Sequence, residues 1–375
     1  MRVLVTGGAG FIGSRLAKRL AGEGHAVTAL DSFVEQVHGA APEQSESYAA
    51  LAQDAQIIHG DVTDRATLEA ALEGAEAVVH LAAETGTGQS MYAIERYNSV
   101  NIGGTALLLD ILANSSHQVR RVLVASSRSI YGEGRYRNAA GEHVYPGHRA
   151  EADMQAGDFR VKHAGDPDLT LVATDENSKV HPSSVYGITK QVQEQLVMTV
   201  CPSIGIEGVA LRYQNVYGPG QSLSNPYTGI LSIFSNLIMQ GKGINIFEDG
   251  EESRDFVYVD DVVEATALSL THPAAAGGVF NVGTGVPVSV MEVATTLTRL
   301  FDANVPIEVT GNFRLGDIRH NYADMSRIRA SLGFQPAWSF EEGITQLVAW
   351  AKASGPQASA YEKSLSEMRE KGLLK

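Results

Sequence analysis

The chain has 375 residues, of which 44% are hydrophobic and 19% charged, with a formal net charge of −14. A chain of this length can bury one large core or two smaller ones, and its acidic balance argues against nucleic acid and anionic membranes as partners, because both require a basic face. The single cysteine cannot form an internal disulfide, and no stretch is apolar enough to span a bilayer, so we expect a cytoplasmic protein that acts on small molecules.

Short apolar runs alternate with helix-like sequence through the first half of the chain. The first run, residues 3–5, leads directly into glycines and then into Ile12, Leu16 and Leu20 at helical spacing. Further runs of the same kind occupy residues 26–30, 56–59, 77–81 and 122–126. This alternation predicts an α/β fold built on a Rossmann-type doubly wound parallel sheet. The segment 105–113 is apolar on most sides, which predicts a helix covered by the sheet and by a second copy of the chain in a homodimer.

The pattern predicts two domains and a tail. The first domain, 1–217, contains an inserted loop region at about 132–176, where the periodicity stops and Gly, Pro, His and charged residues dominate. An insertion of this kind is either a lid or binding loop or a tolerated surface loop. Residues 218–353 predict a smaller mixed α/β substrate domain, and 354–375 predict a charged C-terminal helix or tail. In the smaller domain we expect helices at 230–239 and 289–301, strands near 244–247, 279–282 and 307–309, and segments near 250–285 that return to the first domain.

Three glycines follow the first strand at a spacing of three residues and open the first helix. Gly7 permits the tight turn, Gly10 lets the backbone approach a pyrophosphate, and Gly13 lets the helix pack on the strand. Asp31 ends the second strand, where a carboxylate accepts hydrogen bonds from a ribose. Because a 2′-phosphate would meet this carboxylate, and no Lys or Arg lies between Arg19 and Arg65, the predicted cofactor is NAD rather than NADP. The remaining residues predicted to hold the dinucleotide are Phe11, Ile12, Ser32, Asp61, Val62, Leu81, Ala82, Ala83 and Asn101.

Tyr186 and Lys190 lie four residues apart, so a helix places both side chains on one face. A phenol has an ordinary pKa of about 10, and a neighbouring ammonium favours the phenolate, which makes Tyr186 a usable base near neutral pH. The same lysine is predicted to hold the nicotinamide ribose. Ser127 ends the fifth strand, at the sheet edge where open sheets bind ligands. We therefore predict Ser127, Tyr186 and Lys190 as the catalytic residues.

These motifs resemble the extended short-chain dehydrogenase family of nucleotide-sugar epimerases, dehydratases and decarboxylases. The resemblance covers about residues 1–350 and extends to the segments 211–219, 253–261, 280–283 and 314–317. It implies that Tyr213 faces the nicotinamide, that Asn215, Arg254 and Arg314 hold the diphosphate of a dTDP- or UDP-linked sugar, and that Asp317 holds its nucleoside sugar. The other predicted substrate residues are Thr85, Ser127, Arg128, Tyr227 and Phe247. No metal site is predicted.

Departures from the family pattern narrow the set of reactions that this chain is expected to catalyse. Dehydratases of this type carry Asp-Glu directly after the hydroxyl residue, and the related decarboxylases carry a glutamate at the position of Ser129, whereas this chain has Arg128 and Ser129. What remains is a 4-epimerase that removes a hydride and returns it. The segments 81–90 and 220–229 most resemble those of dTDP-L-rhamnose 4-epimerases. The alternatives are a nucleotide-sugar 4-ketoreductase or dehydrogenase, a UDP-hexose 4-epimerase, and a catalytically idle dinucleotide-binding protein.

Overall fold

The computed structural model describes residues 1–166, 168–227 and 229–375. The strands are β1 Arg2–Thr6, β2 Ala26–Asp31, β3 Ala55–His59, β4 Ala77–His80, β5 Arg121–Ser127, β6 Tyr136–Arg137, β7 His143–Val144, β8 Thr170–Leu171, β9 Glu207–Tyr213, β10 Asn215–Tyr217, β11 Ile244–Ile246, β12 Ser253–Tyr258, β13 Val279–Val282, β14 Pro287–Ser289, β15 Ile307–Val309 and β16 His320–Asn321. The α-helices are α1 Phe11–Gly22, α2 Glu35–His38, α3 Glu46–Asp54, α4 Arg65–Leu72, α5 Thr87–Ser90, α6 Ile94–Tyr97, α7 Gly104–Asn114, α8 Glu151–Gln155, α9 Val185–Ser203, α10 Ile230–Met239, α11 Val259–Thr271, α12 Val290–Phe301, α13 Ser326–Leu332, α14 Phe340–Ser354 and α15 Tyr361–Glu370.

A seven-stranded parallel sheet forms the centre of the molecule, in the order β13-β9-β5-β4-β1-β2-β3. Side chains of α1 and α11 pack on one face of this sheet, and those of α4, α7 and α9 pack on the other. The central strands are buried on both faces, which explains why they read as continuous apolar runs in the sequence. The predicted doubly wound fold is confirmed. Strand order reverses between β1 and β4, and a ligand crevice is expected at that point, outside the carboxyl ends of the strands.

Three smaller sheets surround the central one. Strands β10, β12, β14 and β16 form the first, β11 and β15 pair in parallel, and β6 pairs with both β7 and β8 in the third. The segment 279–282, expected as a short strand and within the range 250–285 predicted to return to the first domain, lies in the central sheet as β13, where it pairs with β9. The predicted division at residue 217 remains a proposal.

The insertion at 132–176 has more regular structure than its sequence indicates. It contains β6, β7, β8 and α8, and an isolated bridge joins His163 to Asp166. Two-residue strands and a one-turn helix are too short to show a period, so the sequence pattern predicts an irregular segment. The C-terminal segment forms α15, and the residues after it pair with 313–315 through hydrogen bonds that include Leu315 N–H to Leu373 O at 2.9 Å. No helix among the described residues is long and apolar enough to cross a bilayer.

Candidate active site

A cavity of about 470 Å³ opens at the carboxyl ends of the central strands, next to the glycine turn. Gly7 has a φ of 68°, and a side chain there would also approach the backbone nitrogen of Ala82 to 2.9 Å. At Gly13 a Cβ atom would lie 2.3 Å from the carbonyl oxygen of Gly7. Both positions therefore require glycine, and the turn brings bare backbone and the N-terminus of α1 to the cavity wall. A dinucleotide pyrophosphate fits this arrangement, because the N–H groups and the helix dipole favour negative charge.

Asp31 lies on the wall of this cavity at the end of β2. Its carboxylate accepts hydrogen bonds from the N–H groups of Ala9 and Phe33, both at 2.9 Å, and His38 Nε2 lies 3.5 Å away. Burial raises the pKa of Asp31, but the hydrogen bonds from His38 and Phe33 outweigh it and leave the pKa below its usual value. The carboxylate is therefore charged at neutral pH and fixed in position. His38, which was not predicted from the sequence, also lines the cavity.

Fifteen of the sixteen residues predicted to hold the cofactor line this cavity. They are Gly7, Gly10, Phe11, Ile12, Gly13, Asp31, Ser32, Asp61, Val62, Leu81, Ala82, Ala83, Tyr186, Lys190 and Tyr213. Asn101 does not line it, so its predicted contact is corrected. Its side chain is fully buried and exchanges hydrogen bonds with the backbone of Glu84, at 2.7 and 3.1 Å. Asn101 therefore fixes the loop after β4 through the Glu84 backbone, without lining the cavity.

Ser127, Tyr186 and Lys190 meet on the wall of the same cavity. Tyr186 and Lys190 lie one turn apart near the start of α9, which packs against β5. The Lys190 ammonium donates to the carbonyl oxygen of Ala125 on β5 at 2.9 Å and lies 6.0 Å from the Tyr186 ring centroid. The Ser127 hydroxyl accepts from the Ser129 hydroxyl at 2.9 Å. The predicted catalytic set is thus brought together by one helix and the end of one strand.

The charge that acts on Tyr186 differs from the one expected. Burial holds the pKa of Tyr186 above its usual value, and a hydrogen bond from Ser127 and the positive charge of Arg128 offset this rise only in part. The positive charge that favours the Tyr186 phenolate was predicted to come from Lys190. Burial lowers the pKa of Lys190 to about 7, so this ammonium is only partly protonated at neutral pH. Arg128 is the arginine next to Ser127 in the sequence. Burial and the nearby charge of Arg254 lower the pKa of Arg128 to about 10, so it stays protonated at neutral pH.

A second cavity, of about 220 Å³, adjoins the first. Arg128, Asn215 and Tyr227 line both cavities, so the two are continuous at these residues. Of the other predicted substrate residues, Thr85 and Ser127 line the first cavity, and Phe247, Arg254, Arg314 and Asp317 line the second. We call the first the cofactor cavity and the second the substrate cavity.

Two arginines of the substrate cavity share one carboxylate. Asp317 accepts from Arg254 Nη2 at 3.1 Å and lies 3.5 Å from Arg314 Nη2. Burial raises the pKa of Asp317, but the charges of Arg314 and Arg254 outweigh it and lower the pKa to about 2. The Arg314 guanidinium also lies 5.1 Å from the Phe247 ring centroid. Asp317 therefore orients both arginines, and its expected contact with the nucleoside sugar stays a prediction. Paired arginines suit a diphosphate, since planar guanidinium groups offer parallel donors to phosphate oxygens.

Two features of the substrate cavity were not predicted from the sequence. Glu252 is buried on its wall, and among the described residues its Oε2 atom has no hydrogen-bond partner. Burial and the neighbouring Glu248 raise the pKa of Glu252 to about 7. The other feature is α15, whose Tyr361, Leu365 and Met368 line the cavity. Their spacing of three and four residues is a helical apolar stripe, a signal that was present in the sequence.

The C-terminal helix is fixed to the substrate cavity by polar contacts as well. The Tyr92 and Tyr227 hydroxyls lie 2.6 Å apart, and both lie within hydrogen-bond distance of Glu367 Oε2, at 3.2 and 3.1 Å. The Lys371 ammonium lies 5.2 Å from the Tyr92 ring centroid. No chemistry was predicted for this segment. In the structure it forms one wall of the cavity.

Taken together, the two joined cavities belong to an enzyme that performs redox chemistry on a diphosphate-linked substrate beside a bound dinucleotide. The model of the NAD dependent epimerase/dehydratase family matches residues 3–151 and 161–283, so the chain belongs to this family. A dTDP-L-rhamnose 4-epimerase from Burkholderia thailandensis is 39% identical over 352 residues, which cover 93% of this chain and 94% of that protein. The prediction of an NAD-dependent sugar-nucleotide enzyme of the epimerase type is confirmed.

Solved structures agree with this family membership. A UDP-glucose 4-epimerase from Thermotoga maritima, crystallised with UDP-glucose, has a TM-score of 0.75 at 28% identity, over 94% of this chain and 99% of that one. A UDP-glucose 4-epimerase from Thermus thermophilus in complex with NAD has a TM-score of 0.72 at 28% identity, over 93% of this chain and 98% of that one. The fold and the use of NAD are shared with enzymes of one reaction type.

Proposed function

We propose that the chain is a 4-epimerase of a dTDP-linked 6-deoxyhexose such as dTDP-L-rhamnose. The observation that carries this proposal is the meeting of Ser127 and Tyr186 with Arg128, where the cofactor and substrate cavities join. A sugar that enters from the arginine-lined side presents its hydroxyls to these residues. The 39% identical dTDP-L-rhamnose 4-epimerase supports the choice of nucleotide and sugar.

In this reaction the side chains move one proton twice. Tyr186 takes the proton from the sugar's 4-hydroxyl and later returns a proton to the same oxygen on the other face of C4. Ser127 donates a hydrogen bond to that oxygen, and Arg128 stabilises the negative charge on the phenolate. In this proposal Lys190 holds the nicotinamide ribose, and its bond to the Ala125 carbonyl of β5 supports this role by fixing the ammonium in position. Bound NAD supplies the redox partner that accepts the C4 hydrogen as a hydride and gives it back, chemistry that no side chain here provides.

The diphosphate anchors keep the ketone from leaving before the hydride returns. Arg254 and Arg314 hold the phosphates while the 4-keto sugar turns over between the two steps, because the sugar rotates about the phosphate linkage and the nucleotide does not. The sugar itself meets an apolar wall. Leu365 and Met368 of α15 are both buried, and a Cβ atom at Gly88 would lie 3.2 Å from the Met368 sulfur. An apolar wall favours a C6 methyl group over a hydroxymethyl or a carboxylate.

A second candidate is a UDP-hexose 4-epimerase. A UDP-glucose 4-epimerase from Mycolicibacterium smegmatis is 33% identical over 93% of this chain and 97% of that protein. A net 4-ketoreductase uses the same side chains but exchanges its dinucleotide in every cycle, and an idle dinucleotide-binding protein has no use for Tyr186 beside Ser127. These alternatives differ in measurable products.

The test is incubation of the pure protein with dTDP-L-rhamnose, UDP-glucose and UDP-glucuronic acid, followed by NMR of the products. We expect inversion at C4 of the dTDP-sugar with no added NAD and no net NADH. Tyr186→Phe should lower kcat by at least about 10²-fold, while Tyr145→Phe, at a tyrosine that lines neither cavity, should not. Stoichiometric NADH consumption would favour the reductase, and a fully active Tyr186→Phe enzyme would refute the mechanism.

We also propose a cytoplasmic homodimer. Helices α7 and α9 pack against each other on one face of the central sheet, and Ile188 of α9 is 46% exposed. An apolar side chain of this size on an exposed helix suits a symmetric contact. Light scattering coupled to size-exclusion chromatography should give the mass of two chains, and Ile188→Glu should lower it. A monomer in the unmodified protein would contradict the proposal.

A further inference from the structure

The insertion at 132–176 places one arginine in the interior, next to the substrate cavity. The Arg149 side chain is only 3% exposed, and its guanidinium donates two hydrogen bonds to the carboxylate of Glu248, at 2.6 and 2.7 Å. Its Nε atom lies 3.4 Å from Glu133, which is also buried. Its second terminal nitrogen donates to the carbonyl oxygen of Asp317 at 3.2 Å. One side chain therefore joins the start of the insertion to two distant segments, those of Glu248 and Asp317.

The turn at Glu248 needs such a contact. Glu248 has a φ of 49°, in the left-handed region that residues other than glycine rarely adopt. Its side chain is buried, and Arg319 Nη1 is its other cationic partner, at 3.1 Å from Oε2. Phe247, directly before it, lines the substrate cavity beneath the Arg314 guanidinium. A shift of the Glu248 carboxylate therefore moves the wall on which Arg314 rests.

Charge balance makes Arg149 necessary rather than incidental. Glu133, Glu248 and Glu252 are buried carboxylates in this region. Among the described residues, Arg149 pairs with Glu133 and Glu248, and Arg319 pairs with Glu248. Arg319 also forms a two-point pair with Asp249, at 2.6 and 2.8 Å. Without Arg149, Glu133 loses its ion pair and Glu248 keeps only the one to Arg319 among the described residues. A buried charge that loses its partner is far more costly than an unpaired surface charge.

We propose that Arg149 is a positioning residue for the diphosphate end of the substrate cavity, and that the insertion holds this end in place. Arg149 fixes the Phe247–Glu248 turn through Glu248 and the 314–319 segment through the Asp317 carbonyl. It lines neither cavity. Its effect on the substrate passes through Phe247, Arg314 and Asp317. The proposal rests on the proposed function to the extent that the ligand of this cavity is a nucleoside diphosphate.

The experiment compares Arg149→Met and Arg149→Lys with the unmodified protein, and uses Arg160→Met as the matched control. Arg160 lies in the same insertion, is exposed and pairs with Asp158 alone among the described carboxylates. The ligands are dTDP and UDP, titrated by calorimetry, and NAD in a separate titration. For Arg149→Met we expect dTDP affinity and the KM for the nucleotide sugar to worsen at least tenfold, with kcat and NAD affinity changed less than threefold. Arg149→Lys keeps the charge and loses the two-point contact. Its dTDP affinity and its KM should lie between those of Arg149→Met and those of the unmodified protein.

The outcomes separate the possible failures. If Arg149→Met is folded and binds dTDP as the unmodified protein does, the role of Arg149 is refuted while the proposed function stands. Equal losses of NAD and dTDP affinity would also refute it, because they indicate general damage. If Arg149→Met does not fold, the same comparison is made with Arg149→Lys and with Glu248→Gln, which weakens the pair from its other side. Failure of the unmodified protein to bind either nucleotide would overturn the substrate class and this proposal together.

Discussion

Substitution of Asp31 by Asn tests the cofactor site most directly. Asp31 is a fixed, charged carboxylate on the wall of the cofactor cavity, held by two backbone N–H groups. We predict that in the unmodified protein it accepts hydrogen bonds from the adenine ribose hydroxyls and repels a 2′-phosphate. The substitution keeps the shape of the side chain and removes its charge. We expect NAD binding to weaken and NADP binding to strengthen.

The size of the effect follows from charge and distance. Two unit charges about 4 Å apart interact with about 4 kcal/mol at the effective dielectric constant of about 20 that suits sites near a protein surface. Since 1.4 kcal/mol is a factor of ten, the unmodified protein should prefer NAD over NADP by about 10³-fold. Hydrogen bonds to a charged group contribute about 1.5–3 kcal/mol, so Asp31→Asn should bind NAD about 10- to 100-fold more weakly. The preference for NAD should then fall to about tenfold or less.

The assay is calorimetric titration of NAD and NADP into cofactor-free protein. Asp64→Asn is the matched control, because Asp64 caps α4 through the Thr67 N–H at 2.8 Å and does not line the cavity. The preference of Asp64→Asn for NAD over NADP should equal that of the unmodified protein. Added salt should narrow the preference of the unmodified protein, since the repulsion is partly screened. An unmodified protein that binds both dinucleotides within a factor of ten, or an Asp31→Asn variant with an unchanged ratio, would refute the reasoning.

Three further predictions concern stability and substrate choice. Burial and the Lys190 charge lower the pKa of His80 from 6.5 to about 3. Between these pH values the unfolded chain binds a proton at His80 that the folded chain does not. The free energy of unfolding therefore falls by about 1.4 kcal/mol per pH unit as the pH falls from 6.5 toward 3. Denaturant titrations should show a shallower acid dependence for His80→Gln. Glu194→Gln leaves the buried Arg212 guanidinium without its anion and should cost about 3–5 kcal/mol, or about 4–6 °C in Tm by calorimetry. Met368→Glu should lower kcat/KM for the 6-deoxy sugar about 10- to 100-fold with little change in NAD affinity. An equal loss of NAD affinity would contradict a role confined to the sugar.

The central sheet and the cofactor turn were predictable because their signals are local. The run at residues 3–5 and the three glycines after it lie within one stretch of chain. The run indicates a strand, and the glycines indicate the turn and the start of the helix. Tyr186 and Lys190 likewise depend only on helical spacing. The return of a segment near 250–285 to the first domain was predicted, but the pairing of 279–282 with β9 was not, because a short apolar strand suits either sheet equally well.

The substrate cavity was less predictable because its parts come from distant segments. Arg149 and Glu248 are 99 residues apart, and no local pattern indicates that a charged loop residue pairs with a turn residue in the interior. The apolar stripe of α15 was visible, but where an amphipathic helix docks depends on the surface it meets. Asn101 shows the reverse case. A polar residue near the cofactor strands looked like a ligand contact, whereas its buried amide satisfies the backbone of Glu84.

Charge placement explains how one cavity both attracts a dianionic substrate and stays folded without it. Arg254 and Arg314 share the carboxylate of Asp317, so the cost of burying two cations is offset before any ligand arrives. We predict that a diphosphate competes with Asp317 for these guanidinium groups, so that selectivity depends on the fit of two phosphates rather than on charge alone. Arg128 differs, because among the described residues its guanidinium has no hydrogen-bond or ion-pair partner. It lies where the two cavities join, and its positive charge lowers the pKa of the Tyr186 phenol, so we predict that it stabilises the phenolate that forms during the reaction.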